Sequence, residues 1–449
     1  MRLREKRPTM LPQPGNSRLT RPPKRESGFI LPRIFSRSLL RRRRFYVVLG
    51  FFVLVLYYLR IFESSSQPLP GYEILFEEEM KHAFDTSSVD DNTKYLHFKV
   101  SPSARVDEEL SKVFLRAHLA HATHRAYVFD PLEPESKDSS SWSRKKVQPL
   151  SSVLSLGKDW DEKGEVLQPL SSLGWHYVCP PRKRKYVHVS SENLGNMGSN
   201  PGALMSKWIE KIVKQDAQCV EIIGEPFPDS ALESKMINNL FDTISSSPVL
   251  KQYRFRHNIQ AAASNILPIA TQPSLTPTAN NTVVLQSYLT LPGLEDPCPN
   301  LAARGALFRT FAHLRGIPTP FDTPANKQYY QQRCNPTIRH IIGRLGMVRN
   351  TRPGIRHVYV VDGPLGLTPE QWVERKRWFE ELRFELTTKH SWESVRWAAA
   401  GAKPESVAVD MELATRSDAY LGNGFTDFSS NVVLLRASRG VPMGGLRFL

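Results

Sequence analysis

The amino-acid sequence predicts an α/β protein with two Rossmann-like domains that face each other across a cleft, behind an N-terminal transmembrane helix. Strand and helix patterns alternate in two successive halves of the chain. An uncharged apolar run follows a basic N-terminal segment, and a strand ending in Gly-Asn-Gly leads directly into a helix near the C-terminus. The chain has 449 residues, enough for two domain cores, which we place at residues 94–270 and 271–449.

Residues 1–44 form a basic tail that carries most of the charge of the chain. Fourteen Lys and Arg residues stand there against Glu5 and Glu26, a net +12 of the formal +16, so only +4 remains for the other 405 residues. The segment has no apolar periodicity and is predicted to be disordered. Because the positive charge is confined to this tail, we expect no nucleic-acid partner.

Residues 45–62 are predicted to be a transmembrane signal anchor. The 15 uncharged residues 45–59 rise about 22 Å as a helix, and the span reaches 18 residues when Arg60 snorkels to the interface. A signal peptide is less favoured, because 44 residues precede the run and no small-residue cleavage site follows it; a buried core helix is the other alternative. The basic residues before the run place the tail in the cytosol and the rest in the lumen of the Golgi or the endoplasmic reticulum, a single-pass type II arrangement.

A polar, partly acidic stretch, residues 63–93, is predicted to be a lumenal stem. One or two disulfides are expected after it, in a compartment that allows oxidation, with the pairing left open among Cys179, Cys219, Cys298 and Cys334. No Cys or His spacing suits zinc, so no metal site is predicted. The sequon Asn280-Asn281-Thr282 lies in a loop rich in Pro, Thr and Ser and is expected to be exposed.

The first half reads as alternating strands and helices. The predicted strands are residues 95–100, 126–129 and 219–223, and the predicted helices are about 107–123 and the region around 205–212. Residues 131–200 show little periodicity, and the basic run 182–185 is predicted to be a solvated loop. His118, His121 and His124 fall on the first helix and are interpreted as partly exposed residues rather than metal ligands.

The second half repeats the alternation. Strands are predicted at residues 283–288, 357–361 and 384–387, and helices at about 337–345 and 369–382. Thr368 is predicted to cap the latter helix, because proline and then glutamine follow at the positions typical of a helix start. Asp362 ends a strand and is interpreted either as a contact to the base or ribose of a nucleotide or as a turn residue.

The closing segment, residues 409–436, is the most informative part of the sequence. It predicts a short acidic helix, a strand ending in Gly422-Asn423-Gly424, a hydroxyl-rich turn and a further helix. Backbone N–H groups and the positive end of the helix dipole converge at such a helix start, so Thr426, Ser429 and Ser430 are predicted to seat a phosphate. The alternative is a capped helix after a buried strand.

The order of residues in this segment resembles the last nucleotide-binding segment of the GDP-fucose protein O-fucosyltransferases, in particular their divergent fungal branch. The runs 117–129 and 330–338 and the tripeptide Asp296-Pro297-Cys298 also resemble that family. The resemblance implies two Rossmann-like domains in the GT-B arrangement, GDP-fucose as donor, a protein or glycoprotein acceptor, and no metal or other cofactor. The nucleotide-sugar-binding residues that it implies, with none assigned as catalytic, are Asn423, Gly424, Thr426, Phe428, Ser429, Ser430, Asp410 and Asp362, with Glu412 beside Asp410.

Two motifs of the family are altered in this sequence. The family's glycine-rich loop, which cradles the pyrophosphate, is replaced by a segment containing Arg105, Asp107 and Glu108, and two carboxylates repel a diphosphate at close range. The family's His-x-Arg, whose Arg binds the departing phosphates, is replaced by Tyr288 and Thr290. The letters His313-Leu314-Arg315-Gly316 match that motif but are interpreted as a surface loop, because they follow Cys298.

Two functions are therefore carried forward. The first is a membrane-anchored transferase that moves fucose from GDP-fucose to a protein hydroxyl. The second is a catalytically impaired relative that binds glycoproteins or a partner transferase.

Overall fold

The computed structural model describes residues 67–68, 71–87, 92–100, 105–133, 146–155, 166–189, 200–233, 235–268, 276–286, 298–303, 308–313, 332–362, 368–397 and 404–449. The predicted tail and transmembrane anchor lie outside these residues, as do Tyr288 and Thr290. Within the described part of the chain, no helix has both the length and the apolar character needed to cross a membrane.

Two five-stranded parallel sheets form the framework, as the alternating pattern predicts. In chain order the strands are β1 (Gln67–Pro68), β2 (Tyr95–Lys99), β3 (Ala126–Phe129), β4 (Lys146–Val147), β5 (Leu170–Ser171), β6 (Arg184–His188), β7 (Cys219–Ile223), β8 (Thr282–Gln286), β9 (His357–Val361), β10 (Ser394–Trp397), β11 (Ala419–Gly422) and β12 (Leu446–Phe448). The N-terminal sheet has the order β5-β3-β2-β7-β6 and the C-terminal sheet the order β10-β9-β8-β11-β12. β1 and β4 pair with each other outside both sheets.

Helices connect the strands. The α-helices of the described residues are α1 (Glu73–Ser87), α2 (Val106–Ala122), α3 (Trp175–Val178), α4 (Pro201–Val213), α5 (Asp229–Leu232), α6 (Asn238–Ser245), α7 (Pro248–Gln252), α8 (His257–Ile266), α9 (Cys298–Ala303), α10 (Ile338–Thr351), α11 (Pro369–Phe384), α12 (Pro404–Arg416) and α13 (Asp427–Ser438). Thr368 caps α11 in a capping box with Gln371, as predicted. Two parallel-sheet α/β domains are consistent with a GT-B-like fold.

The inner faces of the two sheets share one apolar core. Leu96 and Phe98 of β2 belong to the same buried cluster as Val284 of β8, and helices α2 and α13 lie in the layer between the sheets. The alternate residues of these strands face outward. Val283 of β8 packs under α10 and α11, and Tyr95 of β2 packs under α1 and α3. This alternation explains why the central strands read as continuous apolar runs, since both of their faces are covered.

Helix α1 lies within the segment that the sequence suggested to be a stem. Its Phe76 and Ala83 are buried, and it packs on the N-terminal sheet. A Cβ on Gly174 would lie 2.1 Å from the Cβ of Ala83, so this close approach requires glycine. The packed N-terminal domain therefore includes residues ahead of β2.

Three local predictions are wrong. Residues 384–387 are not a strand, because α11 continues into a π-helical turn, Glu385–Lys389, with Leu386 buried; β10 follows it instead as the edge strand. The basic run 182–185 is not a loop throughout, since Arg184 begins the edge strand β6. His118 is not partly exposed but buried, with its Nδ1 atom 3.0 Å from Ser247 Oγ.

The four cysteines form two disulfides, which answers the pairing that the sequence left open. Cys179 at the end of α3 bonds Cys219 at the start of β7. Cys298 at the start of α9 bonds Cys334, shortly before α10. The sequon residue Asn280 is exposed, as predicted.

Candidate functional site

The candidate site lies where the strand order of the C-terminal sheet reverses. The chain builds the sheet outward from β8 through β9 to β10 and then returns to the other side of β8 with β11 and β12. The carboxyl ends of β8 and β11, at Gln286 and Gly422, are therefore neighbours at the switch point, the usual ligand position in open α/β sheets.

The turn after β11 starts α13 as the sequence predicts. Thr426 is the N-cap, and its Oγ1 accepts a hydrogen bond from the Ser429 amide at 3.1 Å. Asn423 Oδ1 accepts from the Phe425 amide at 3.1 Å, and Asn423 Nδ2 donates to the Cys334 carbonyl at 2.9 Å. The predicted residues 423–430 are thus brought together at one helix start, and Phe428 lies in the apolar core.

Gln286 joins this turn to the centre of the sheet, a role that was not predicted from the sequence. Its Oε1 accepts from Ser429 Oγ at 2.9 Å, from the Asn423 amide at 3.0 Å and from the Tyr420 hydroxyl at 3.3 Å. Ser429 Oγ also lies 2.8 Å from the Tyr420 hydroxyl. The sequence feature that could have identified Gln286 is its position as a polar residue at the end of an otherwise apolar strand.

A segment from the same domain, residues 308–313, covers the start of α13. A Cβ on Gly424 would lie 2.4 Å from the ring of Phe308, so the close packing of this ring requires glycine at position 424. The Arg309 amide donates to the Gly424 carbonyl at 2.7 Å, and the Phe311 amide donates to Ser430 Oγ at 3.0 Å. None of these contacts was predicted, because they join residues more than 100 positions apart.

Arg309 connects the helix start to the other domain. Its Nε lies 3.0 Å from Asp427, and its terminal nitrogens lie 2.6 Å from Glu233 and 3.3 Å from Asp229. Burial raises the pKa of the Asp427 carboxyl to about 6, although the Arg309 guanidinium acts to lower it. The helix start thus holds a buried carboxylate with a paired arginine.

The first two turns of α2 pack against the first two turns of α13. Asn431 Nδ2 donates to the Asp107 carbonyl at 2.6 Å, and Ser111 Oγ donates to Asn431 Oδ1 at 2.7 Å. The Asp107 carboxylate is fully buried and lies 2.6 Å from Arg105 Nη2. Glu108 pairs instead with Lys112 on the helix surface. Of the altered glycine-loop positions, Arg105 and Asp107 therefore lie beside the start of α13, where phosphate binding is predicted.

The remaining predicted acids lie in structural contacts. Asp362 accepts from Arg375 Nε at 2.8 Å and from Trp397 Nε1 at 2.5 Å, and its side chain is buried, which favours the structural interpretation over a base or ribose contact. Asp410 is fully buried within α12, and Glu412 pairs with Arg416 and Arg439. The backbone of His313 ends the covering segment, whereas Arg315 lies outside the described residues.

Comparison with solved structures identifies the architecture. The crystal structure of POFUT1 in complex with GDP-fucose matches with a TM-score of 0.51 and 14% identity, over 80% of this chain and 99% of that one. The structure of POFUT1 in complex with GDP matches with a TM-score of 0.50 and 14% identity, over the same shares of the two chains. The chain has an O-fucosyltransferase-like fold.

The structural similarity is accompanied by little similarity in sequence. No protein-family model matches the chain, and no curated protein matches it. The resemblance inferred from the sequence is confirmed at the level of the O-fucosyltransferase-like fold.

Proposed function

We propose that the chain is an O-fucosyltransferase-related glycosyltransferase that binds a GDP-sugar, GDP-fucose by resemblance, and transfers the sugar to a protein hydroxyl. The observation that carries this proposal is the strand-turn-helix unit at the switch point of the C-terminal sheet, with Gln286 and residues 423–430 at its centre. The same fold holds GDP and GDP-fucose in POFUT1.

The chemistry of such a transfer sets what the site must do. The acceptor oxygen attacks the anomeric carbon as the bond to the diphosphate breaks, so negative charge develops on the departing phosphate and the configuration inverts. The dipole of α13 and the backbone N–H groups of its first turn are oriented to stabilise that charge. We assign no general base among the described residues.

A second candidate function is a non-catalytic relative that binds glycoproteins or a partner transferase. The electrostatics of the two helix starts favour it, because each start already holds a buried carboxylate of the protein, Asp427 at α13 and Asp107 at α2. Arg309 and Arg105 pair with those carboxylates instead of facing a ligand. A diphosphate placed there meets like charges at short range.

We further propose that the protein is a single-pass type II protein of the Golgi or endoplasmic reticulum membrane, with the two α/β domains in the lumen. The charge step between residues 41–44 and the apolar run supports this orientation. Both disulfides among the described residues suit an oxidising lumen.

Titration of the detergent-solubilised full-length protein with GDP separates the two functions. The transferase proposal expects saturable heat and a thermal shift with GDP, no response to UDP at equal concentration, and transfer of fucose from GDP-fucose to acceptor glycoproteins with release of GDP. The absence of both heat and thermal shift at millimolar GDP would reject the transferase and support the binding module. GDP binding without any sugar transfer supports the catalytically impaired relative.

A further inference from the structure

The side-chain amide of Gln286 has an oxygen that accepts hydrogen bonds and a nitrogen without a hydrogen-bond partner among the described residues. Its Oε1 accepts from Ser429 Oγ and the Asn423 amide, as described above. Its Nε2 has no hydrogen-bond partner among the described residues, and the whole side chain is buried. Buried amide donors are almost always paired, so an unpaired one in a binding region points to an acceptor that arrives with a ligand.

The orientation of this amide is fixed by its neighbours. The backbone N–H of Asn423 only donates, so the atom that faces it at 3.0 Å must be the acceptor Oε1. Rotating the amide by half a turn would place two donors against each other and would leave Oε1 without these partners. The unpaired group is therefore the N–H end in the orientation that the protein requires.

The position of the amide indicates what kind of acceptor it meets. Gln286 ends the central strand β8 at the switch point, and its Oε1 also lies 3.4 Å from Oγ1 of Thr426, the N-cap of α13. The 12-residue helix directs its positive end toward the same place. Arg309 and Arg105, the two arginines at the helix starts, pair with Asp427 and Asp107.

We propose that Gln286 Nε2 donates a hydrogen bond to a phosphate oxygen of the nucleoside diphosphate, so that Gln286 is a ligand-binding residue of the switch-point site. The inference rests on the proposed function, because the acceptor belongs to the GDP-sugar. It assigns to a neutral amide part of the contact that an arginine would otherwise supply.

Substitution of Gln286→Glu tests this contact with almost no change of shape. The carboxylate keeps an oxygen for Asn423 and Ser429 but replaces the donor with a negative oxygen. The full-length variant should lose at least tenfold in GDP affinity by calorimetry, and its thermal midpoint should fall as well, because the new carboxylate is fully buried. Lowering the pH should recover part of the loss relative to wild type, because a protonated Glu regains a donor.

Gln371→Glu is the matched control. Gln371 Oε1 also accepts from a backbone amide, that of Thr368 at 2.9 Å, but at the start of α11 rather than at the switch point. Glu is well suited to this position of a capping box, so the control should fold and bind GDP as the wild type does. If Q286E does not fold, Gln286→Asn replaces it, since the shorter amide stays neutral but withdraws its N–H, and the same tenfold loss is expected.

The outcomes distinguish this inference from the proposed function. A wild type that binds GDP and a folded Q286E that binds it equally well overturn the inference and leave the proposed function standing. A wild type that does not bind GDP overturns both. A loss of affinity in Q286E and not in Q371E supports the direct contact.

Discussion

At the scale of single residues, Ser429 and Ser430 show how a predicted ligand contact becomes an internal one. Both side chains are fully buried at the start of α13. Ser429 Oγ lies between Gln286 Oε1 and the Tyr420 hydroxyl, and Ser430 Oγ accepts from the Phe311 amide. In this conformation the two hydroxyls stabilise the fold of the C-terminal domain.

Replacing Ser429 and Ser430 together by Ala should therefore destabilise the protein by about 2–4 kcal/mol. The Phe311 amide loses its acceptor, and a buried group left unpaired costs about 1–3 kcal/mol. The Tyr420 hydroxyl keeps Gln286 as a partner but loses its bond to Ser429, and a lost hydrogen bond costs about 0.5–1.5 kcal/mol. Urea unfolding measures the change. An unchanged stability with a tenfold or greater loss of GDP affinity would instead restore the phosphate-binding role that the sequence predicts.

Ser438→Ala provides a control on the same helix. Ser438 Oγ donates to the Leu435 carbonyl, which also accepts from the Arg439 amide, so its removal leaves no group unpaired. A change within about 0.5 kcal/mol is expected, as for substitutions that create no cavity or unpaired polar group.

At the scale of elements, helix α2 combines an apolar face with a buried imidazole. Leu110, Phe114 and Leu119 lie in the shared core, and His118 is buried beside Ser247 at the start of α7. Burial, with a smaller contribution from His121, lowers the pKa of His118 to about 4. The helix therefore packs with this histidine neutral.

His118 should make the stability of the protein depend on pH. Between pH 6.5 and pH 4 the unfolded chain binds a proton at His118 that the folded chain excludes, so stability falls as the pH is lowered, by up to about 3 kcal/mol. His118→Gln removes this term and keeps a group that can bond Ser247. Above pH 6.5 the unfolding free energies of the two proteins should differ by a constant amount, and toward pH 4 the wild type should lose up to about 3 kcal/mol relative to His118→Gln. Parallel curves over the whole range would mean that His118 titrates normally inside the fold.

At the scale of the whole molecule, the residues from Ser66 onward form one compact unit built on two sheets. The shared core between the sheets and the link from Arg309 to Glu233 join the two halves. In the proposed topology this entire unit lies on the lumenal side of the membrane.

Protease protection of sealed microsomes tests that topology. Added protease should remove only the N-terminal tail and leave a C-terminal epitope intact until detergent is present. The exposed Asn280 should carry an N-glycan, so Asn280→Gln should increase electrophoretic mobility and abolish sensitivity to endoglycosidase. Digestion of the C-terminal epitope without detergent, with no glycan on Asn280, would show that the two domains lie on the cytosolic side.

The sequence by itself determined the local elements of this protein. The strands at 95–99, 126–129 and 357–361, and the helix starts at Thr337, Thr368 and Thr426, follow from neighbouring residues, because side-chain periodicity and N-cap hydrogen bonds act within a few positions. The resemblance of residues 409–436 to a known family also indicated the correct fold.

Only the tertiary structure decided how the candidate site is assembled. Gln286, Phe308 and Arg309 meet the start of α13 from more than 100 positions away. The cysteine pairing, across 40 and 36 residues, and the two-to-five-residue strands at the sheet edges also depend on partners outside the local sequence. A local pattern identifies a helix start that is able to hold an anion. Whether an anion or the protein's own side chains occupy it depends on burial and charge contributed by distant segments, and those become defined only when the two sheets close on a common core.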